Sequence, residues 1–315
     1  MNKEQLLIEN YLLPLANNKE SLQLKNDAAL FKNKNLVIST DMMIEDQHFT
    51  KNYKPEILAK KLLRINLSDM AAMGALPYGF LLNIAIPKKN VDRWLKFFTK
   101  GLNEDMRQFN LKLFGGDLCY SKKIFLSMTI LGKTKKNCHF KNFTKINSDI
   151  YVSGNIGDAA LGLKLFQNRS FFDCSKTNRK KLINKLHIPE PRLDVGKKIL
   201  NKVEFCTDLS DGLIEEILTV AERSKKQANI FLEKIPISKA TDEVLRKNKS
   251  KEVWDMILFG GEDYELLFSM NKHAKVSVSK NKITKIGFFS KGRGIRIFDK
   301  NGVEFVSKKK GFSHF

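Results

Sequence analysis

The sequence predicts an α/β protein of two domains. Three observations carry that expectation. Apolar runs of strand length alternate with amphipathic helical stretches along most of the chain. At 315 residues the chain exceeds a single typical core. A lysine- and asparagine-rich stretch, "KTKKNCHFKNFTKINSD" at 133–149, breaks the pattern near the middle, so the predicted domains are 1–140 and 141–315.

Element by element, the opening run "MNKEQLLIENYLLPL" sets Glu4 and Glu9 among leucines, which suits an amphipathic helix and not a signal peptide. "NLVISTDMMIEDQHF" reads as a buried strand entering a polar loop. In "PEILAKKLLRINLSDMAAMG", Leu58, Leu62, Leu63, Leu67 and Met70 recur near the helical period and Gly74 can stop the helix. "GFLLNIAIP" is a strand, "NVDRWLKFFTKGLNEDMRQFN" an amphipathic helix, and "LKLF" runs into a corner at Gly115, Gly116 and Asp117 before the strand "IFLSMTILG". The second half opens with the strand "IYVSG" and the helix start "NIGDAALGLKLF". Two helical stretches flank "HIPEPR", then the strand "VEFC" enters "TDLSDGLIEEILTVAERS". "LFGGEDYELLFS" is a second Gly-Gly-acid corner running into a strand, and "FDKNGVEF" is a hairpin with an Asn-Gly turn.

Composition narrows the function. The longest apolar stretch, "YGFLLNIAIP", is far short of the roughly 20 residues a spanning helix needs. Cys119, Cys138, Cys174 and Cys206 show neither a CxxC pair nor metal-type spacing, which argues against a disulfide framework or a zinc site and suits a reducing compartment, the cytoplasm. The net charge of +22 rests on 56 basic residues, of which 10 are Arg and therefore 46 are Lys. Nucleic-acid binders gather positive charge on one face and favour Arg forks. Lysines spread along the chain read instead as a solvated surface, although phosphorylated small molecules would feel the field.

Carboxylates recur where apolar strands end: Asp41 after "LVIST", Asp69 in "INLSDMAAMG", Asp117 in "FGGD", Asp208 and Asp211 in "TDLSDG", Glu262 and Asp263 in "GGED". Taken singly, each is accounted for as a helix cap or turn residue. Together they would repel unless cations neutralise them, and hard oxygen donors of this kind suit Mg²⁺ held jointly with phosphates. No GxxxxGKS or GxxxxGKT loop, HRD or DFG set, GxSxG elbow or HExxH pair is present. A nucleotide triphosphate would have to be held mainly through metal ions.

The runs "STDMMIEDQHF", "NLSDMAAMGALP", "GGD" with downstream "SMTILG", "IYVSGNIGDAALGL", "PEPR", "TDLSDGL", "GGEDYELLF" and the terminal "GFSHF" resemble thiamine-monophosphate kinase, in that family's order and over nearly the whole chain. The family is similar in fold to aminoimidazole ribonucleotide synthetase and selenophosphate synthetase. The resemblance implies an α/β (α+β) architecture of mixed sheets flanked by helices, an N-terminal ATP- and Mg²⁺-binding domain whose strands pair across a homodimer, and a C-terminal domain completing the cleft. It implies ATP and Mg²⁺ as cofactors, and direct transfer of a phosphoryl group to thiamine monophosphate.

Carried over by position, Asp27, Asp41, Asp69, Asp117 and Asp208 look like Mg²⁺ ligands, with oxygens from Ser39 and Thr40 beside them and Asp211 as a further metal-linked acid. Asp69, Asp117 and Asp208 would carry the catalysis. Gly116, Asp117, Lys145, Ser210 and Phe109 match nucleotide contacts, and His48, Glu262 and Phe312 match the positions that hold the thiamine moiety. The attacking phosphate oxygen is already anionic, so no general base is required, in keeping with the lack of a His-acid dyad. Three departures stand out. Lys25 and Asn26 precede Asp27 where the family has Gly-Asp, so a carboxylate is missing and a lysine stands close to the metal acids. Lys145 replaces an Arg, keeping charge but losing the fork. Asp46 is added in "EDQHF". Another ATP-using relative acting on a different small substrate, or a basic nucleic-acid-binding relative, stays open as an alternative.

Overall fold

A computed structural model of the chain describes residues 3–134, 137–141, 143–271, 276 and 283–306. The opening segment is helical only over α1 (Lys3–Leu7) and then loosens into a π-turn and a 3-10 turn. None of its residues is buried, and Pro14 cannot donate the backbone bond a continuing helix needs. The first half then builds one five-stranded sheet from β1 (Ala29–Phe31), β2 (Leu36–Ile44), β3 (Leu76–Ile86), β4 (Lys112–Tyr120) and β5 (Phe125–Lys133), in the order β1-β2-β5-β3-β4. All neighbours run antiparallel except β3 and β4. Helices α2 (Pro55–Ala72) and α3 (Val91–Phe109) close the core on one face, where Val37, Met43, Phe80, Leu82, Leu126, Met128 and Ile130 are buried.

The second half forms a six-stranded sheet from β6 (Asp149–Ser153), β7 (Phe205–Asp208), β8 (Gln227–Phe231), β9 (Leu266–Met270), β10 (Ile283–Ser290) and β11 (Gly294–Phe298), in the order β11-β8-β10-β6-β9-β7. Its helices are α4 (Asp158–Gln167), α5 (Lys176–His187), α6 (Leu193–Ile199), α7 (Leu213–Ser224), α8 (Lys239–Lys247) and α9 (Ser250–Phe259). The Asn301–Gly302 turn closes as expected, with Asp299 N–H donating to the Val303 carbonyl at 2.9 Å and Gly302 at φ 76. No helix among the described residues is long and apolar enough to cross a membrane, and all four cysteines are free thiols.

Helix α2 joins the two halves. It is buried nearly all round, polar Lys61, Arg64, Asn66 and Ser68 included, and its C-terminal Ala71 and Ala72 pack with Val195, Ile199, Cys206, Leu266 and Phe268 of the second half. A helix buried on every side needs a clean stop. Gly74 at φ 65 provides it, with Ala75 N–H donating to Met70 O at 2.8 Å and Gly74 N–H to Ala71 O at 3.0 Å. Gly196 lets α6 lie directly on this helix, because a Cβ there would stand 2.1 Å from Ala71 O.

The "PEPR" and "GGEDYE" runs meet in the core. Arg192 donates to both oxygens of Glu265, at 2.5 and 2.6 Å, and Lys185 adds a bond at 3.0 Å. Glu265 is fully buried; burial alone would raise its pKa, but Lys185 and Arg192 hold it below the usual carboxylate range. Arg192→Met would strand a buried charge and is expected to cost about 3 kcal/mol, read as a lowered denaturant midpoint. An unchanged midpoint would mean that Lys185 suffices. Asp263 is likewise structural: it accepts from Gly157 N–H at 2.7 Å and Ala159 N–H at 3.2 Å, capping α4, and burial pushes its pKa up to about 7.

The Gly115-Gly116-Asp117 segment is not a corner. It lies inside the edge strand β4, where a bulge shifts the register with β3 between Phe80 and Leu81. A Cβ on Gly116 would stand 1.8 Å from Leu82 O, so the glycine is required by the neighbouring strand. Every residue of β4 is exposed, including Leu113, Phe114, Leu118 and Tyr120.

Candidate active site

Four elements bring acids together between the halves. Asp41 comes from β2, Asp69 from the end of α2, Asp208 from the end of β7 with Asp211 just beyond it, and Asp27 from the loop before β1. Side chains alternate along β2, so Val37, Ser39 and Met43 are buried together. Ser39 Oγ donates to Asp69 Oδ2 at 2.5 Å and to the Asp27 carbonyl at 2.9 Å. Ser68 Oγ donates to Asp208 Oδ2 at 2.6 Å, and Thr207 Oγ1 to Asp27 Oδ1 at 3.2 Å.

The electrostatics of this cluster are those of carboxylates short of cations. Burial, then Asp211 and Asp27, push Asp41 up to about 6. Asp69 is raised well above its ordinary value by burial and by Asp41, Asp208 and Asp27, with Ser39 opposing. Asp208 is raised by burial and Asp27, with Ser68 and Lys141 opposing. Glu216 on α7, also raised by burial, reaches about 7. Among the described residues a cation reaches this cluster. Lys141 Nζ stands 3.2 Å from Asp27 and 2.9 Å from Glu216; burial would lower its pKa, but the two acids raise it. It stays an ammonium.

Beside the cluster lies a cavity of about 620 Å³, a size that suits a small organic ligand. Asp41, Ser210 and Asp211 line it on the acid side, His48, Lys61 and Glu262 along its wall, and α4 and α9 contribute Leu163, Asp255, Met256 and Phe259. The 209–211 and 262–264 loops are held together by Glu262 N–H to Ser210 O at 2.7 Å and Tyr264 N–H to Leu209 O at 2.9 Å. This contact needs Gly261, whose Cβ would meet Ser210 O at 2.1 Å. Glu262 sits at φ 71 and pairs with Lys61 at 2.6 Å. His48 Nδ1 accepts from Ile44 N–H at 3.0 Å, so the ring proton resides on Nε2.

Asp27, Ser39, Asp41, Asp69, Asp208 and Asp211 are thus brought together, with Ser210, His48 and Glu262 on the adjoining wall. Other expected residues stand elsewhere. Thr40 is exposed, its hydroxyl donating to the Met128 carbonyl at 3.0 Å. Phe109 packs at the end of α3 under the Arg64 guanidinium, 5.3 Å from the ring centre. Lys145 is exposed, its N–H donating to Glu204 at 2.7 Å. Asp117 and Gly116 lie on β4, outside the cavity lining. Phe312 falls outside the described residues. The lysine whose ammonium pairs with the clustered acids among the described residues is Lys141; the Lys25 carbonyl accepts from Arg223 at 3.0 Å. Asn26 braces Lys141, its Oδ1 accepting from Lys141 N–H at 2.7 Å. Lys61, Lys141, Glu216 and Asp255 escaped sequence reasoning; a lysine inside an otherwise apolar helical pattern was the available signal for Lys61.

The donor set fits Mg²⁺. Asp27 Oδ2 is buried without a hydrogen-bond partner among the described residues, and the surrounding carboxylates are raised by burial and then by one another. Among the described residues no three His, Cys, Asp or Glu side chains form a ready coordination shell. Mg²⁺ does not ask for one, since it is held by one or two carboxylates together with waters and substrate phosphates.

Residues 25–134 match the family model described as AIR synthase related protein, N-terminal domain. Fold and site therefore define an AIR synthase-like enzyme. The chain is 38% identical over 312 residues to the thiamine-monophosphate kinase of Buchnera aphidicola from Schizaphis graminum, covering 94% of each chain. It is 36% identical over 302 residues to that from Acyrthosiphon pisum, covering 92% of this chain and 91% of the other. A solved structure of AaThiL complexed with AMPPCP and TMP superposes with a TM-score of 0.86 at 26% identity, over 100% of this chain and 99% of that one. The chain belongs to the thiamine-monophosphate kinase family, and it is a phosphotransferase.

Proposed function

We propose that the chain phosphorylates thiamine monophosphate to thiamine diphosphate, with ATP as donor, by direct in-line transfer assisted by Mg²⁺. The observation that carries this reading is the set of mutually repelling carboxylates at one side of a cavity sized for a small organic acceptor. When bound, Mg²⁺ would screen the two polyanions and stabilise charge in the transition state. Asp27, Asp41, Asp69, Asp208 and Asp211 would hold it. Ser39 and Ser68 orient Asp69 and Asp208, and Lys141 fixes Asp27. Tyr264, held neutral by burial and neighbouring acids, lines the cavity as a donor. The acceptor phosphate needs no base, and no side chain has to move a proton.

The reading includes a homodimer. Antiparallel partners share a face of the sheet, so Asp41 lies on the covered side with its partner Met128, which is buried. Asp117 is opposite Asn83, and Asn83 opposite Ser127, on the uncovered side. That side also exposes Met42, Leu81 and Phe125, an apolar patch of the kind that marks a protein interface. Asp117 therefore reaches a metal cluster only in a second copy. The cytoplasm is the compartment that suits four free thiols.

The test is formation of thiamine diphosphate from purified protein, ATP, thiamine monophosphate and Mg²⁺, with a no-metal control and thiamine as competing acceptor. Metal-dependent product from the monophosphate alone is expected. Absence of product while ATP still binds with Mg²⁺ would reject the acceptor.

A further inference from the structure

Resting on the function proposed above, we propose that Asp255 is the specificity residue of the acceptor cavity, accepting a hydrogen bond from the exocyclic amine of the aminopyrimidine ring. Glu262 is the acid that sequence points to for the organic end of the substrate, but its charge is already met. Lys61, 1% exposed on α2, donates to it at 2.6 Å. That ammonium lies 6.0 Å from the Tyr53 ring centre, and Tyr53, Phe166 and His187 pack on one another edge-on at 4.7 to 5.1 Å. The Lys61–Glu262 pair is a neutral unit of the wall.

Asp255 is different. It lines the same cavity, and its Oδ1 is buried with no hydrogen-bond donor among the described residues. A buried acceptor without a donor is costly unless a ligand supplies one. Its surroundings suit a flat heteroaromatic ring. Phe259 lies one turn further along α9, on the same helix face, with the Met256 thioether and Leu163 of α4 also in the lining; thioether sulfur and aromatic faces are favourable neighbours for a ring. The phosphate of the acceptor has to lie at the Asp41, Ser210 and Asp211 side, where phosphoryl transfer takes place. The aminopyrimidine is the other end of the molecule and the end that carries the amine donor.

The test compares the wild type with Asp255→Asn and Asp255→Ala on two acceptors, thiamine monophosphate and oxythiamine monophosphate, whose amine is replaced by a carbonyl. Asp255→Ala is expected to raise KM for thiamine monophosphate about 10- to 100-fold with KM for ATP unchanged, and to erase the preference over the oxy analogue. Asp255→Asn is expected to shift that preference toward the oxy analogue, because its amide can donate to a carbonyl. Both variants should melt at or above the wild type, since an unpaired carboxylate is removed; were the Ala variant to misfold, the isosteric Asn variant decides. KM within about twofold of wild type in the folded variants, or undiminished discrimination, overturns the assignment. Failure of the wild type to phosphorylate thiamine monophosphate at all is the separate result that overturns the proposed function, and this assignment with it.

Discussion

Asp69→Asn is expected to lower turnover by about 10³-fold while raising the melting temperature of the metal-free protein at pH 8. The first effect follows from loss of a charged ligand at the point where transition-state charge is stabilised. The second follows from the cluster itself. Burial, then Asp41, Asp208 and Asp27, raise the folded pKa of Asp69, so the fold prefers its neutral form. A carboxyl raised on folding contributes stability fully below its unfolded pKa and loses it as pH climbs through the folded value. At pH 8 the ionised Asp69 is a liability that the amide lacks. Asp41, raised from 3.8 to about 6, and Glu216, from 4.5 to about 7, behave alike, Asp41 alone being worth on the order of 3 kcal/mol. Metal-free stability should therefore fall as pH rises from about 4 to about 7, and the advantage of the variant should vanish near pH 4. Mg²⁺ should stabilise the wild type and the variant much less. Equal stabilisation of both by Mg²⁺, or turnover within tenfold of wild type, would remove Asp69 from the metal site.

The acids at strand ends were legible because each local pattern is strong: an apolar strand followed by a carboxylate, or Ser68-Asp69 closing a helix ahead of Gly74. What sequence could not supply was the third dimension. Asp41 and Asp117 both read as strand-associated acids in an apolar context, yet they lie on opposite faces of one sheet, and face depends on register with β5 and β3. The lysine beside the acids was expected from numerical nearness to Asp27, whereas Lys141 arrives from 114 residues away. "GGEDYE" holds three acids, of which only Glu262 was given a role from sequence, and packing gives them three fates. Glu262 lines the cavity, Asp263 caps α4 and Glu265 closes a buried ion pair with Arg192. The order of most elements was readable from periodicity. The strand β8 was not, because its five residues carry too little alternation to be told from the helices around it.

Mixing two inactive variants, Asp69→Asn and Asp117→Asn, is expected to restore activity to about a quarter of the wild-type level. If Asp117 acts across a two-fold axis, a heterodimer has one site that combines the intact Asp69 of one chain with the intact Asp117 of the other, and one site that has lost both. Random exchange makes about half the dimers heterodimers, each with one working site of two, which gives about a quarter overall. The prediction depends on geometry already described: an edge strand exposed along its whole length, an uncovered apolar sheet face, and Asp117 on the side away from Asp41. An interface of this kind also has to be apolar at its centre, so Leu81→Asp, which puts a charge on that face, should yield a monomer with turnover reduced about 10²-fold or more. Asp69 would still be in place in that monomer, and thiamine monophosphate would still find its cavity. Restored activity on mixing cannot come from an Asp117 that serves its own chain, since each variant would then carry only defective sites. No recovery after demonstrated subunit exchange would place Asp117 in its own subunit's chemistry, or in none.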